Sequence, residues 1–103
     1  MKLTHHNGVI EKIGYFFFGH ANEGYVHVQF KNSGGTCAFD LVDRKVISNF
    51  VELFRDFEID IENGFYLEAL KGKPLVGWFD ENERIQGVSS FTDDIGNNIV
   101  SLH

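Results

Sequence analysis

The sequence predicts an α+β fold, in which an antiparallel sheet of about five strands carries one main amphipathic helix on one face. Residues 44–57 place seven apolar side chains on one arc of about 160° of a helical wheel, and polar side chains fill the rest. Runs rich in β-branched and aromatic residues come before and after that helix, separated by turn-forming residues. The predicted order is βββαββ in a single domain, residues 1–103.

Three strands are predicted before the helix, because β-branched and aromatic residues favour extended chain. The first eight residues lack periodicity and end in Asn7-Gly8, a pair typical of a turn. Aromatic residues fill both faces of the first strand near its end, so one face needs cover from the tail, a partner or a second copy. These strands are residues 9–18, 25–31 and 36–41, joined by loops at 19–24 and 32–35.

Asp43 is predicted to cap the helix, because its carboxylate can accept the first free amide hydrogens. The helical pattern continues to Phe57. The period then changes to two, since Glu58, Asp60 and Glu62 alternate with isoleucines. This alternation predicts extended chain with three carboxylates on one face.

The rest of the chain is predicted to return to the sheet. A short helical turn ends at Lys71-Gly72-Lys73-Pro74, where Gly and Pro stop it. A final hairpin follows, and the tail is expected to add a short strand. These elements are the turn at 65–70, strands at 75–79 and 84–91 with a turn at 80–83, and the tail strand at 99–102.

Composition indicates where the chain functions. The single Cys37 excludes an intrachain disulfide and favours a reducing compartment. No run of about 18 apolar residues is present, and the N-terminus lacks the apolar region of a signal peptide. We therefore expect a soluble, cytoplasmic protein without a membrane partner.

Eleven Phe residues are many for a chain of 103. Each aromatic side chain can bury about 150–250 Å², and a small domain does not easily enclose them all. We therefore expect some aromatic surface to be shared with a partner or with a second copy. The candidate subunit contact of a homodimer is Tyr15, Phe16, Phe17 and Phe18.

Fifteen acidic and nine basic residues give a net charge of −6, which argues against direct binding to nucleic acid or anionic lipid. The carboxylates at 58, 60 and 62 would lie about 6.6 Å apart in a strand, close to two steps along a DNA strand. The row can therefore mimic nucleic acid, or it can be a solvated face. The candidate partner-binding residues are Asp56, Glu58, Asp60, Glu62, Asp80, Glu81 and Glu83.

Catalytic and metal-binding motifs are missing from the sequence. The five His residues show no HxH, HxxxH or CxxC spacing, so no metal is expected. Cys37 with His20 or His27 can pair as nucleophile and base, but a thiol in an apolar strand is usually core packing. No nucleotide-binding or hydrolase motif occurs, and no cofactor is expected.

Two short motifs carry a resemblance to a known group of proteins. They are the segment Gly34, Gly35, Thr36, Cys37, Ala38, Phe39, Asp40 and the turn Leu70, Lys71, Gly72, Lys73, Pro74. With the hairpin before them and the helix between them, the chain resembles small uncharacterised proteins of phages and prophages. The resemblance covers about residues 9–91 and implies an accessory protein acting in a bacterial cytoplasm.

Three functional hypotheses follow. The first is a phage protein that binds and inhibits a host protein with a basic surface, such as a component of an antiphage CRISPR system. Acidic residues would steer it and aromatic residues would anchor it. The second is a homo-oligomer that binds a small ligand beside the aromatic contact. The third, ranked last, is a cysteine-dependent enzyme.

Overall fold

The computed structural model describes residues 2–19 and 23–103. In these residues it contains one α-helix and six strands in a single sheet, which confirms the predicted α+β class and the order of the elements. The predicted loop at 19–24 lies partly outside the described residues. The elements are β1 (Thr4–Phe18), β2 (Glu23–Asn32), β3 (Gly35–Leu41), α1 (Arg44–Glu52), a 3₁₀ helix (Leu67–Leu70), β4 (Pro74–Phe79), β5 (Ile85–Ser90) and β6 (Val100–Ser101).

The strands lie in the order β3-β2-β1-β4-β5-β6, and every neighbouring pair is antiparallel. Helix α1 contacts β3 and β6, the two edge strands of the sheet. One helix can reach both edges only if the sheet curls, so the sheet wraps around the core and α1 bridges its open side. Apart from β1, each strand begins and ends within two residues of its predicted bounds.

Strand β1 begins at Thr4, so the turn predicted at Asn7-Gly8 is wrong. Gly8 lies within the strand, between Asn32 of β2 and Leu75 of β4. A Cβ atom at Gly8 would lie 2.6 Å from the Cζ of Phe30, whose ring is fully buried. Glycine is required here because the Phe30 ring approaches the backbone, not because the chain reverses.

Gly77 of β4 meets the same ring. A Cβ atom there would lie 2.8 Å from the Cε2 of Phe30. Two glycines on neighbouring strands therefore make room for one aromatic side chain at the centre of the sheet, where close packing leaves few voids.

The predicted cap of α1 is confirmed. The Oδ1 of Asp43 accepts hydrogen bonds from the amides of Lys45 and Val46, at 2.8 and 3.2 Å. The apolar face of the helix enters the core, with Phe50 almost fully buried and its ring 6.2 Å from that of Phe39 on β3. The helix thereby closes one side of the curled sheet.

Helix α1 ends at Glu52, so its predicted extension to Phe57 is wrong. The chain continues in tighter turns, because the amide of Phe54 bonds to the carbonyl of Val51 and that of Phe57 to the carbonyl of Phe54. Such i to i−3 bonds place residues three apart on the same side of the chain. Phe54 and Phe57 therefore both turn inward, with their rings 6.0 Å apart.

Candidate functional site

The acidic loop, residues 53–66, follows α1 and holds the carboxylates that the alternating pattern singled out. The strand predicted for them is wrong, because the backbone bonds to itself instead of to a neighbouring strand. The amide of Ile59 donates to the carbonyl of Phe57 at 2.7 Å, and the amide of Ile61 to that of Ile59 at 3.0 Å. The chain here is a series of tight turns, so the regular spacing of a DNA-like row is lost.

The exposure pattern of the loop nevertheless follows the predicted alternation. Glu58, Asp60 and Glu62 are exposed, whereas Ile59 and Ile61 are half-buried, and Ile59 packs against the core. Burial of the isoleucines holds the loop against the protein. The three carboxylates therefore point to solvent from a backbone that is fixed on its inner side.

Arg55 ties the loop to the end of α1. Its guanidinium donates to both carboxylate oxygens of Glu52 and to Glu62, with the Nη1–Oε1 distance to Glu62 at 2.9 Å. The hydrogen bond from Arg55 lowers the pKa of Glu52, and the two carboxylates raise the pKa of Arg55. We call these hydrogen bonds of Arg55 to Glu52 and Glu62 the Arg55 clamp. Sequence periodicity did not reveal it, because Arg55 falls on the polar arc with the other charged residues.

Asp60 fixes the turn that follows. Its carboxylate accepts from the backbone and side-chain amides of Asn63, at 3.2 and 2.7 Å. These bonds, the side-chain one first, lower the pKa of Asp60. Among the described residues, Asp56 and Glu58 are the carboxylates of the loop that accept no hydrogen bond.

Tyr66 closes the acidic loop and is the most exposed large apolar side chain described, at 85%. The neighbouring Phe65 packs against the core instead. The sequence offered one signal for this, since only one of two adjacent aromatic residues before a short helix can face inward. The loop thus presents an aromatic ring four residues after Glu62.

The second acidic cluster, Asp80, Glu81 and Glu83, forms the β4–β5 turn. Asp80 accepts from the amides of Asn82 and Arg84 and from the Gln86 side chain. The backbone bond from Arg84 comes first among the causes that lower the pKa of Asp80. Asp80 therefore shapes the turn, while Glu81 and Glu83 are exposed.

The structure separates the two acidic clusters. Phe57, in the acidic loop, contacts Phe91, which follows β5, and the Nζ of Lys73, which precedes β4, lies over its ring. The β4–β5 turn lies at the other end of β4, roughly 17 Å away at about 3.3 Å per residue. The seven candidate partner-binding carboxylates thus form two surfaces rather than one.

The predicted subunit contact lies on the aromatic arm, which we define as residues 14–18 of β1 and 23–26 of β2. Tyr15, Phe16, Phe17 and Phe18 are all exposed there, between 40 and 56%. Strand pairing puts them on two faces, since Tyr15 lies opposite Val26 on the core side and Phe16 opposite Tyr25 on the outer side. The arm therefore exposes aromatic rings on both faces.

Cys37 and His27 lie on opposite faces of the sheet. Cys37 points with Phe39 toward the core, whereas His27 bonds to Asp40 on the outer side at 2.6 Å. Burial raises the pKa of Cys37, which keeps the thiol protonated. The pairing of Cys37 with His27 that the sequence allowed is wrong, and His20 lies outside the described residues.

A groove of about 780 Å³ lies between the edge of β3 and the C-terminal part of the sheet. Apolar side chains from α1, β3 and β5 line it together with Asp40, Asp43 and Arg84. Its lining does not include the aromatic arm. The apolar lining residues include Phe39, Val42, Val46, Ile85 and Leu102.

Two further observations concern residues 2–19 and 23–103. Within these residues, no three His, Cys, Asp or Glu side chains come together in an arrangement that would hold a metal ion. No helix there has the length and apolar character needed to cross a bilayer.

Comparisons of the chain with models of protein families, with curated proteins and with solved structures found no match.

Proposed function

We propose that this chain is a small non-enzymatic protein whose acidic loop binds and blocks a basic surface of a host protein. The observation that supports this most is the composition of the loop surface. Asp56 and Glu58 are exposed without any structural hydrogen bond in the described chain, and Tyr66 stands exposed on the same loop. The loop thus carries both charge for recognition and an apolar anchor.

The carboxylates supply complementarity and attraction over distance. A basic surface on the partner would attract a chain of charge −6, and opposite potentials raise association rates more than they raise affinity. Tyr66 supplies the contact that slows dissociation, because buried aromatic side chains dominate interface energies. Glu81 and Glu83, at the far end of β4, contribute to steering rather than to the contact itself.

The resemblance to phage and prophage proteins suggests the class of partner. A phage accessory protein works among bacterial proteins in the cytoplasm, and many basic surfaces there bind nucleic acid. A CRISPR effector of an antiphage defence system offers such a surface. The acidic loop would occupy it as an irregular cluster of charges, with no direct contact between this chain and nucleic acid and no cofactor.

A pull-down from bacterial lysate tests the proposal. The wild-type chain is compared with the double substitution Asp56→Lys and Glu58→Lys, and with a control that makes the same charge change at Glu81 and Glu83. We expect the wild type and the control to capture a protein with a basic surface, and the loop variant to lose it. Capture by the loop variant at wild-type levels would contradict the role of the loop.

The groove beside β3 favours a second candidate function, a small-ligand-binding homo-oligomer. Its volume of about 780 Å³ falls in the range typical of ligand sites. Native mass spectrometry of the chain purified from bacterial cells tests this, with Val46→Trp to fill the groove. A bound small molecule that the Val46→Trp chain lacks would favour this function over the first.

A further inference from the structure

The second half of β1 has a partner strand on only one side. β4 pairs with β1 only from Thr4 to Val9, and the last contacts on that edge are backbone bonds between Ile10 and residues 72 and 73. From residue 12 to residue 18, β1 pairs with β2 alone, and no other described segment bonds to its backbone. Alternate residues of this stretch therefore present unpaired backbone N–H and C=O groups on the free edge, which form a template for another strand.

We infer that this edge pairs with the same edge of a second copy, so that two chains form an antiparallel β1–β1 dimer. This goes beyond the proposed function, because it assigns a partner to the aromatic arm rather than to the acidic loop. An antiparallel pairing of one edge with itself is two-fold symmetric, and both copies use the same residues. The two sheets would join into one continuous sheet.

The aromatic side chains fit this contact on both faces of the strand. Tyr15 and Phe17 stack on the core side, with ring centroids 6.4 Å apart. Phe16, Phe18 and Tyr25 form a cluster on the outer side, with centroids 5.4 to 5.9 Å apart. A second β1 strand along the edge would place its own Tyr15 and Phe17 beside the core-side rings, and its own Phe16 and Phe18 beside the outer rings. Cross-strand aromatic pairs stabilise such a pairing.

The symmetry restricts the register. Residues that lie directly opposite each other in an antiparallel pair point to the same face, so the two-fold axis must pass at a residue and not between two residues. An axis at Phe16 places Tyr15 opposite Phe17 of the second copy, and an axis at Phe17 places Phe16 opposite Phe18. In either register, exposed aromatic rings of one copy pack against exposed aromatic rings of the other.

The exposed area is in the range that a small dimer needs. The side chains at 15 to 18 are 56, 55, 54 and 40% exposed, and an aromatic residue offers about 150–250 Å². The exposed area of these four side chains, summed over two copies, is therefore roughly 600–1,000 Å². The strand backbone and Tyr25 raise this toward the roughly 1,200 Å² at which stable interfaces begin.

Charge also favours a second copy on this edge. Strands β1 and β2 contain two acidic residues, Glu11 and Glu23, and two basic residues, Lys12 and Lys31. These two strands are thus electrically balanced although the whole chain carries −6, and the arm itself holds a single charged residue, Glu23. Two copies can meet here without placing acidic surfaces face to face, which the acidic loop would not allow.

Sedimentation of the full chain between about 1 and 200 µM tests the dimer. We expect the weight-average mass to double with concentration, and Phe16→Lys with Phe17→Lys to raise the dimer dissociation constant at least about a hundredfold. Tyr66→Lys is the control, because it charges a still more exposed ring away from the arm and should leave the mass unchanged. A wild type that stays monomeric, or a Tyr66→Lys chain that dissociates equally, would overturn the inference.

Amide hydrogen exchange separates edge pairing from a contact between aromatic faces. In the β1–β1 dimer, amides on the free edge between residues 12 and 18 become protected as concentration rises, and the Phe16→Lys and Phe17→Lys chain loses that protection. A dimer whose amides at 12 to 18 exchange as fast as in the monomer would overturn the edge pairing, since faces can pack without bonding the backbone.

Discussion

Arg55 donates to Glu62 across seven residues of chain, with the Nη1–Oε1 distance at 2.9 Å. The same guanidinium holds Glu52, the last residue of α1. One side chain therefore fixes the acidic loop to the end of the helix. Burial of the isoleucines holds one side of the loop, and the hydrogen bonds of Arg55 hold the other. The exposed carboxylates therefore keep a defined position.

The first prediction concerns this clamp. Arg55→Ala should speed amide exchange at Ile61 and Asn63 several-fold, while the melting temperature hardly changes, since half-exposed ion pairs contribute little to global stability. Arg44→Ala, at the exposed start of α1, is the control and should leave loop exchange unchanged. Equal exchange rates in wild type and Arg55→Ala would show that the isoleucines alone hold the loop.

The second prediction concerns the space under Phe30. Gly77→Ala forces a Cβ to within 2.8 Å of a fully buried ring, and such overpacking typically costs about 1–3 kcal/mol of unfolding free energy. Gly14→Ala is the matched control, because a Cβ there meets nothing within 4 Å. Urea denaturation measures both, and a Gly77→Ala chain as stable as Gly14→Ala would contradict the packing described.

The third prediction concerns pH. The pKa values of Glu52, Asp60 and Asp80 are lower in the folded chain than their usual values. Protons therefore bind more tightly to the unfolded chain, so the stability from these groups is present above about pH 4 and is lost as pH falls through the lowered values. We expect the unfolding free energy to decrease between about pH 4 and pH 2.

Asp80→Asn tests one of these contributions, since an amide cannot gain charge as pH rises. Its unfolding free energy should fall less steeply between pH 4 and pH 2 than that of the wild type. Asp94→Asn removes a carboxylate that makes no hydrogen bond in the described chain, and serves as the control. Parallel pH curves for wild type and Asp80→Asn would contradict a native-state role for the Asp80 carboxylate.

Local signals predicted most of the fold. The apolar arc of α1, the capping carboxylate of Asp43 and the strand-forming runs each depend on residues close together in sequence, so the sequence displays them directly. The order of elements and the class of fold follow from these alone.

The errors came from contacts between residues distant in sequence and from local hydrogen bonding that periodicity does not resolve. Gly8 looks like part of a turn until Phe30 of another strand is placed against it. The helical period continues to Phe57, yet i to i−3 bonds shorten the α-helix to Glu52 while keeping Phe54 and Phe57 in the core. Periodicity cannot distinguish these two ways of burying the same residues.

The candidate site was predicted by composition but not by geometry. The exposure of Glu58, Asp60 and Glu62 follows the alternating pattern, whereas the clamp of Arg55 and the exposure of Tyr66 depend on how the loop folds back. The division of the acidic residues between two ends of β4 likewise depends on the strand pairing.

The most direct test of the proposed function is to measure how tightly the captured partner binds the wild type and the loop variant. Binding kinetics at two salt concentrations should show that Asp56→Lys with Glu58→Lys weakens binding at least tenfold, and that the wild type itself binds more weakly at high salt. The matched change at Glu81 and Glu83 should mainly slow association. Equal affinities for wild type and loop variant, or equal losses for the two double variants, would contradict a binding site on the acidic loop.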